Sequence, residues 1–405
     1  MRRVRVLIVA GEASSDAHGA GLLRALRGRG LAVEAYGIGG EALAEAGMEL
    51  LASYRDLAVV GLFEVFARLP RILGLLRRIR REFAHRPPDL FLPIDAPDFN
   101  LRLLAGAARR GVPVVYFIAP QLWAWRSGRV RTLQAHLREL LVLFPFEEAW
   151  FRERGVPVHY VGHPLVDAIR ERSAAAASCA GAGRIVAEPP AGVPAEVSAG
   201  LFLPGSRAGE VGRHMPILAA AAERLRPHHP RLRWTIRRAP ALPARFYAPW
   251  LRDDWIRLSD APIFELAGAA GITVAASGTA SFEAALTGTP LIVVYRVHPL
   301  TWVLARRLVR VPWVAMANLA SGRGIVPELL QGACSPEGVA AEIERLLGDP
   351  AGRGAMRRAL HGLRERFGPP GAYARAAERV AVHLGAGGEE RGGCAAPLSG
   401  DGRDD

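Results

Sequence analysis

The chain has 405 residues, of which 52 are basic and 39 acidic, so its formal net charge is +13. Every basic residue is Arg and no Lys is present, which excludes lysine Schiff bases, the P-loop lysine and the lysine of protein kinases. Half of the residues are apolar, as in globular proteins, and the length indicates about two to three domains. Cys179, Cys334 and Cys394 form no CxxC pair, so they indicate neither a disulfide framework nor a zinc knuckle and fit a reducing, cytoplasmic compartment.

Short β-branched runs alternate with helical periodicity along the first half of the chain, a pattern typical of parallel sheets covered by helices. The predicted strands are Val4–Ala10, Val33–Ile38, Leu90–Ile94, Val112–Phe117, Leu140–Leu143 and Val158–Val161. Between them, amphipathic patterns predict helices such as Leu101–Arg110 and Glu147–Arg154. The apolar run at the start is too short for a signal peptide, and no run reaches the roughly 18 residues of a membrane span.

The composition changes to Ala, Gly, Pro and Ser over residues 173–199, which we interpret as a linker or insertion. A second α/β series follows, with predicted strands at Gly200–Leu203, Leu232–Ile236, Ile272–Ala276 and Leu291–Tyr295 and predicted helices at Pro336–Leu347, Ala351–Arg366 and Tyr373–Leu384. Residues 385–405 are Gly-rich and predicted to be disordered. The fold class is therefore α/β, with two Rossmann-like, doubly wound domains whose strand-to-helix loops face one cleft.

Two loops of the first half combine small and polar residues at the carboxyl end of a strand. The loop from Gly11 to Gly19 opens a helix and could approach an anion, or its Ser and Asp could simply cap that helix. The second loop holds Asp95, Asp98 and Asn100, the last being one of only two Asn in the chain. A carboxylate there could take a proton from a hydroxyl nucleophile, although an Asp at this position also commonly caps a helix.

Two loops of the second half have the same arrangement. Leu203–Glu210 places a Gly-Ser turn and Arg207 at a helix start, which predicts a diphosphate cradle of backbone donors, helix dipole and guanidinium; a surface Arg is the alternative. In Ala276–Glu283, Ser277 and Thr279 could donate to phosphate oxygens and Glu283 could hold ribose hydroxyls, while an N-cap is the alternative.

The segment from Leu57 to Arg86 is apolar at first and then rich in Arg. This pattern indicates either an interfacial helix that meets anionic lipid or a core helix with a basic end. Trp123 lies in a nearby loop, where membrane anchoring, stacking and packing are all open.

His163 follows a strand and is a secondary candidate for a base. No candidate active-site loop has a DxD arrangement, and the His228-His229 pair has no carboxylate at ligand spacing, so no metal site is predicted.

An ordered series of motifs resembles the lipid-A-disaccharide synthase family, and it covers nearly everything from Val4 to about Leu347. The series reads GEASSDAHGA, GLFEVFARLPRIL, IDAPDFN, APQLWAWR, PFE, VGHPLVD, LPGSRAGE, SGTASFE, Tyr-Arg at 295–296 and NLASGRGIVPELLQ. The resemblance implies a two-domain GT-B glycosyltransferase. It also implies an acceptor- and membrane-binding domain at 1–172 and a UDP-sugar domain at 200–348. The composition and periodicity of the sequence add a linker or insertion at 173–199, C-terminal helices at 349–384 and a disordered tail at 385–405, and the tail matches nothing in the family.

The activity implied by the resemblance is inverting, metal-independent transfer of 2,3-diacylglucosamine from its UDP conjugate to the 6-hydroxyl of 2,3-diacylglucosamine 1-phosphate. The products are a β-1,6 disaccharide 1-phosphate and UDP, with no cofactor. The implied location is the cytoplasmic face of the inner membrane, as a peripheral protein, and a homodimer is an expected assembly.

By resemblance, Asp98 is the catalytic base. The implied UDP-sugar residues are Ser206, Arg207, Ser277, Gly278, Thr279, Glu283 and Asn318. The residues expected to line the cleft are Glu12, Ser14, Asp95, Asn100 and His163. Contact with membrane or acyl chains is expected from Leu62, Phe63, Val65, Phe66, Leu69, Ile72, Leu73, Leu76 and Trp123.

The sequence departs from the family at Ser15, where the family pattern Gly-Glu-x-Ser-Gly-Asp has Gly, so a positive φ there would be strained. Another metal-independent GT-B glycosyltransferase or a UDP-sugar epimerase is the alternative function, since both share the two halves. Nucleic acid is not a predicted partner, because the positive charge is spread over both halves and no nucleic-acid-binding signature is present.

Overall fold

The computed structural model describes residues 3–57, 62–179, 197–252, 254–299, 302–303, 307, 309 and 311–385, with the backbone alone at 62–69 and 172–179. Within these ranges the chain forms one seven-stranded and one six-stranded sheet, whose strands are connected mainly through helices. All of the recorded strand pairings are parallel. This confirms the predicted α/β class.

The first sheet has the order β3-β2-β1-β4-β5-β6-β7 among the described strands. Its strands are β1 (Arg3–Ala10), β2 (Ala32–Gly39), β3 (Glu49–Ser53), β4 (Leu90–Ile94), β5 (Val115–Phe117), β6 (Glu139–Val142) and β7 (Val158–Tyr160). The helices are α1 (Ala13–Gly28), α2 (Glu41–Glu45), α3 (Leu62–His85), α4 (Pro97–Ala108), α5 (Val130–His136), α6 (Pro145–Arg152) and α7 (Pro164–Cys179). The central strands β1 and β4 are buried almost throughout, as expected of strands covered on both faces.

The second sheet has the order β10-β9-β8-β11-β12-β13. Its strands are β8 (Ala199–Leu203), β9 (Arg233–Arg237), β10 (Ile256–Ser259), β11 (Ile272–Ala276), β12 (Leu291–Tyr295) and β13 (Glu328–Leu330). The remaining helices in chain order are α8 (Ala208–Leu225), α9 (Ile263–Ala269), α10 (Thr279–Leu286), α11 (Met316–Ser321), α12 (Pro336–Gly348), α13 (Pro350–Glu365) and α14 (Ala372–His383), and α14 bonds to Glu139 of β6 in the first sheet. Phe202 and Trp234 stack at 4.1 Å between ring centroids in the core around this sheet.

Three observed strands were absent from the sequence prediction, namely β3, β10 and β13. Each lies at an edge of its sheet, where a strand has one neighbour and need not carry a continuous apolar run. Helix α7 continues to Cys179, so the first residues of the stretch interpreted as a linker are helical. Residues 180–196 and 386–405 lie outside the described ranges.

The internal contacts divide the chain into two compact units. Unit 1 contains Met1–Phe117, His136–Glu139 and Tyr373–Asp405, and unit 2 contains Ile118–Ala135 and Leu140–Ala372. The domain boundaries expected from the resemblance stay predictions. Among the described residues, none of the helices is both long and apolar enough to cross a membrane.

Candidate active site

The loop between β1 and α1 is fixed by Ser15. Its hydroxyl oxygen accepts hydrogen bonds from the backbone N–H of Gly11 at 3.1 Å and of Glu12 at 2.9 Å, and donates one to the Glu12 carbonyl at 2.9 Å. Ser15 lies in the first turn of α1 and is absent from the residues with positive φ. The departure from the family Gly therefore adds a helix cap and introduces no backbone strain.

Asp16 in the same motif has a structural role. It is 4% exposed, and its carboxylate accepts hydrogen bonds from the backbone N–H of Gly40, Ala42 and Leu43, at 2.6, 3.0 and 3.3 Å. These donors lie at the start of α2, where backbone N–H groups have no partner within the helix. Asp16 thus ties the loop after β2 to α1. Glu12 and Ser14 are partly exposed and bonded to each other, with Ser14 Oγ donating to Glu12 Oε1 at 2.5 Å.

The loop between β4 and α4 has a strained backbone. Asp95 and Ala96 both have φ of 48°, a left-handed conformation that non-glycine residues rarely adopt. A Cβ at Gly11 would lie 2.2 Å from the Cβ of Ala96, so glycine at position 11 allows the two loops to touch. Glu12 follows Gly11 and Asp95 precedes Ala96, so the charge of Glu12 acts on the Asp95 carboxyl group.

The two Asp residues of this loop differ in their surroundings. Burial and, to a smaller extent, the negative charge of Glu12 raise the pKa of Asp95 to about 7. Asp98 is exposed in the first turn of α4, where the helix dipole favours a negative charge. The arrangement therefore pairs a carboxyl that is partly protonated at neutral pH with a carboxylate at an exposed helix start.

Asn100 was expected to line the cleft, but the structure buries it completely. Its side-chain amide donates to the carbonyls of Asp95 at 2.8 Å and Val9 at 3.3 Å, and lies 3.5 Å from that of Ile94. The Tyr116 hydroxyl also donates to the Asp95 carbonyl, at 2.5 Å. Asn100 therefore holds the strained turn under Asp95 and does not line a surface.

In unit 2, the loop between β8 and α8 carries Ser206 and Arg207. The predicted backbone donors of a diphosphate cradle are engaged internally, because the N–H groups of Ser206 and Arg207 donate to Glu210 Oε2 at 2.9 and 3.3 Å. The Arg207 side chain is 60% exposed and lies 3.8 Å from Glu210. The guanidinium, more than the backbone, is the group that this loop presents to solvent.

His214 is a residue of this site that sequence reasoning missed. It is 1% exposed, its Nδ1 lies 2.8 Å from the Pro204 carbonyl, and its Nε2 accepts from the Arg296 N–H at 3.1 Å. These two bonds define one neutral tautomer, and burial lowers the pKa of the ring. His214 thus connects the Arg207 loop to the end of β12. A polar ring within the apolar face of α8 was the signal that could have found it.

The loop between β11 and α10 places Ser277, Gly278, Thr279 and Glu283 together, as predicted. Ser277 and Glu283 are partly exposed, whereas Gly278 and Thr279 are exposed. Gly278 has φ of 149°, which favours glycine, and it leads directly into the amino end of α10. This helix start has the polarity that suits an anionic group.

Asn318 was predicted to contact the nucleotide sugar, but it is 1% exposed. Its Oδ1 accepts from the N–H groups of Ile325 at 2.7 Å and Val326 at 2.9 Å. Its Nδ2 donates to the Val326 carbonyl at 2.9 Å and to Glu328 Oε1 at 2.8 Å. Glu328 in turn accepts from the N–H groups of Val314 and Ala315. We therefore interpret Asn318 as a positioning residue that acts through this segment.

His163 was expected to line the cleft and is instead 5% exposed. Its ring packs against Phe144, Phe282 and Phe367, with centroids 5.0 to 5.8 Å away, and its Nδ1 accepts from the Leu165 N–H at 3.2 Å. An aromatic cluster of this kind provides packing for α10, which carries Phe282. The placement corrects the expectation of a surface base.

The predicted membrane residues divide into three groups. Leu76 is 3% exposed and lies with Ile79 and Phe83 on the core face of α3, which corrects its assignment to the membrane. Trp123 is 8% exposed and donates from Nε1 to Glu147 at 3.1 Å, so it is not a surface anchor. Ile72 and Leu73 are partly exposed. The side chains of Leu62, Phe63, Val65, Phe66 and Leu69 lie outside the described residues.

The cations of this region also divide. Arg86 forms ion pairs with Glu34 and Glu49, and its guanidinium lies 4.4 Å from the centroid of the Tyr36 ring. Its charge is therefore paired within unit 1. Arg77, Arg78 and Arg81 are exposed along α3. For metal binding, the part of the chain that the structure describes contains no group of three His, Cys, Asp or Glu side chains that could hold an ion.

Comparisons with known proteins agree with the motif series. The family model described as lipid-A-disaccharide synthetase matches residues 6–357. A lipid-A-disaccharide synthase of Anaeromyxobacter dehalogenans is 43% identical over 379 residues, which is 93% of this chain and 96% of that protein.

Solved structures with the same fold have much lower identity. The calicheamicin glycosyltransferase CalG4 is 17% identical with a TM-score of 0.60, covering 96% of this chain and all of its own. The UDP-GlcNAc 2-epimerase of Neisseria meningitidis, solved with UDP-GlcNAc, is 12% identical with a TM-score of 0.61, covering 95% of this chain and 99% of its own. At these identities the likeness concerns the fold alone, and it confirms the GT-B class.

Proposed function

The chain belongs to the lipid-A-disaccharide synthase family and is a glycosyltransferase, and from that premise we propose its substrates, its catalytic residues and its place of action. The donor is UDP-2,3-diacylglucosamine and the acceptor is 2,3-diacylglucosamine 1-phosphate. The observation that carries the proposal is 43% identity over 96% of the length of a lipid-A-disaccharide synthase. The epimerase alternative rests only on a shared fold at 12% identity, so the observations favour glycosyl transfer.

The proposed reaction begins at the acceptor. Asp98 takes the proton of the 6-hydroxyl while that oxygen attacks the anomeric carbon of the donor, and the bond from this carbon to the UDP oxygen breaks with inversion. Exposure at the start of α4 supports Asp98 as an accessible carboxylate. General-base catalysis of this type contributes about 10²- to 10⁴-fold to a rate.

The departing diphosphate is the proposed ligand of Arg207, Ser206 and the Ser277–Thr279 loop, with Glu283 on the ribose. An exposed guanidinium and the amino end of α10 supply positive charge and dipole without a cation. His214 and Asn318 hold these loops and do not touch the ligand in our proposal. The reaction is proposed to need no metal and no cofactor, and full activity in a chelator is the expected result.

The decisive experiment incubates the purified chain with both acylated substrates and measures UDP release together with disaccharide formation. Asp98→Asn removes the base with little change of shape, and Asp95→Asn is its matched control in the same loop. Loss of product with Asp98→Asn alone is expected. UDP-sugar epimerisation without disaccharide would instead favour the alternative function.

We further propose that the chain acts at the cytoplasmic face of the inner membrane as a peripheral homodimer. Ile72 and Leu73 are partly exposed beside the exposed Arg77, Arg78 and Arg81, which is the chemistry that binds anionic lipid. Co-sedimentation with anionic vesicles should weaken when both apolar residues are changed to Ser. Size-exclusion chromatography with light scattering tests the dimer, and a molar mass of two chains is the expected result.

A further inference from the structure

An apolar cavity of about 720 Å³ opens in unit 2 beside the sugar-nucleotide loop. Its lining includes four of the eight Trp of the chain, Trp123, Trp125, Trp302 and Trp313, together with Leu319 and Leu330. Ser277 and Gly278 of the sugar-nucleotide loop also belong to the lining. The volume lies within the roughly 300 to 1,000 Å³ of ligand pockets, which are commonly apolar with few polar groups.

The wall of the cavity is held by hydrogen bonds. Ser277 Oγ donates to the Val314 carbonyl at 2.9 Å, so the sugar-nucleotide loop and the wall are directly connected. Glu328 Oε2 accepts from the Val314 N–H at 2.9 Å. Trp123 Nε1 is bonded to Glu147, which leaves its ring to pack along the cavity. A wall fixed in this way can bind an apolar ligand without first becoming ordered.

The cavity also has apolar side chains in contact with solvent. Trp125 is 38% exposed and Val309 is 40% exposed, and both belong to the lining. The Arg126 guanidinium lies over the Trp125 ring at 4.1 Å. Grouped exposed apolar residues mark a surface that meets a partner or ligand, and here they line an open cavity.

We propose that this cavity holds acyl chains of the sugar-nucleotide donor. The inference rests on the proposed function, in which the donor diphosphate binds at the Ser277–Thr279 loop. The acyl groups are attached to the same glucosamine ring as the diphosphate, so they leave the ring within a few bonds of that loop. Ser277 and Gly278 belong both to that loop and to the lining of the cavity, so chains that leave the ring there have the cavity beside them. The donor, and not the acceptor, is the occupant, because the diphosphate belongs to the donor.

The test measures equilibrium binding and does not depend on turnover. Calorimetry on the full chain compares UDP with UDP-2,3-diacylglucosamines that carry butanoyl, hexanoyl or octanoyl chains, each below its micelle concentration. We expect the dissociation constant to fall about fourfold for each methylene that enters the cavity. A negative heat-capacity change that grows with chain length should accompany binding.

A filled cavity provides the matched variant. Leu319→Trp should remove the dependence on chain length and leave the affinity for UDP unchanged, which also shows that the variant is folded. Leu330→Phe, at a second wall position, serves if Leu319→Trp does not bind UDP. The control is Leu50→Trp in unit 1, where Leu50 is 40% exposed and does not line the cavity. It should behave as the unchanged protein.

Two results overturn the inference. The first is a donor affinity that does not depend on chain length in the unchanged protein. The second is a Leu319→Trp variant that binds UDP normally and keeps the dependence of donor affinity on chain length. Failure of the proposed function is distinguishable, because it gives tight, chain-dependent donor binding with no disaccharide formed.

Discussion

Replacing Asn318 with Ala separates a positioning residue from a direct ligand contact. The substitution removes the partners of two backbone N–H groups, those of Ile325 and Val326, and one partner of the Val326 carbonyl. At 1% exposure, water does not readily replace these partners. Each buried polar group left without a partner costs about 1–3 kcal/mol, so for the two N–H groups we expect the free energy of unfolding to fall by roughly 2–6 kcal/mol. That loss is a large part of the roughly 5–15 kcal/mol that stabilises a typical protein.

The assay is urea unfolding followed by tryptophan fluorescence, with UDP binding measured on the same samples. The control is Thr279→Ala, because Thr279 is exposed in the proposed nucleotide loop. An exposed substitution should change stability by about 0.5 kcal/mol or less while it weakens UDP binding. If Asn318→Ala matched this control, with unchanged unfolding and weaker binding, the positioning role would be refuted and direct contact restored.

The remaining predictions concern the loops of unit 1. Asp98→Asn should lower kcat by about 10²-fold or more, whereas Asp95→Asn, which retains a neutral side chain, should lower it far less; equal losses in steady-state assays would contradict this assignment. Burial and the charge of Glu12 raise the pKa of Asp95 to about 7. Between about pH 4 and about pH 7 the native state therefore keeps a proton that the unfolded chain has released. As pH rises from about 4 to about 7, the free energy of unfolding of the unchanged protein should therefore fall relative to that of Asp95→Asn, which unfolding titrations at several pH values can measure. Ser15→Gly should cost about 1 kcal/mol, because it removes the cap on Gly11 and Glu12; a more stable variant would show that the loop prefers Gly.

The interior of each sheet could be predicted from the sequence. Leu90–Ile94, Ile272–Ala276 and Leu291–Tyr295 were predicted at the bounds that the structure has, because strands buried on both faces are continuous apolar runs. Glu49–Ser53 and Glu328–Leu330 were missed because an edge strand is exposed on one side and carries polar residues at ordinary cost. A continuous apolar run thus identifies strands that are buried on both faces, whereas the edge strands are more exposed and lack such a run.

The sequence predicted those site residues that directly follow a strand. Glu12, Asp95, Arg207 and Ser277 follow strands of parallel sheets, and the structure places each of them in a strand-to-helix loop. Contacts between distant segments could not be predicted from position. Gly11 meets Ala96 in another loop, and this contact depends on packing that no local pattern records.

Both Asn of the chain hold backbone segments inside the protein. Asn100 and Asn318 are the only two Asn of the chain. Asn100 was expected to line the cleft and Asn318 to contact the nucleotide sugar, yet both are buried. Asn100 donates to backbone carbonyls, and Asn318 both donates to Val326 and accepts from it. A carboxylate at either position would repel the carbonyls that the amide contacts, and at position 318 an aliphatic side chain would also leave the N–H groups of Ile325 and Val326 without their partner. Rarity therefore identified residues that the loops cannot replace, and the Asn318→Ala experiment measures how much of the site depends on one of them.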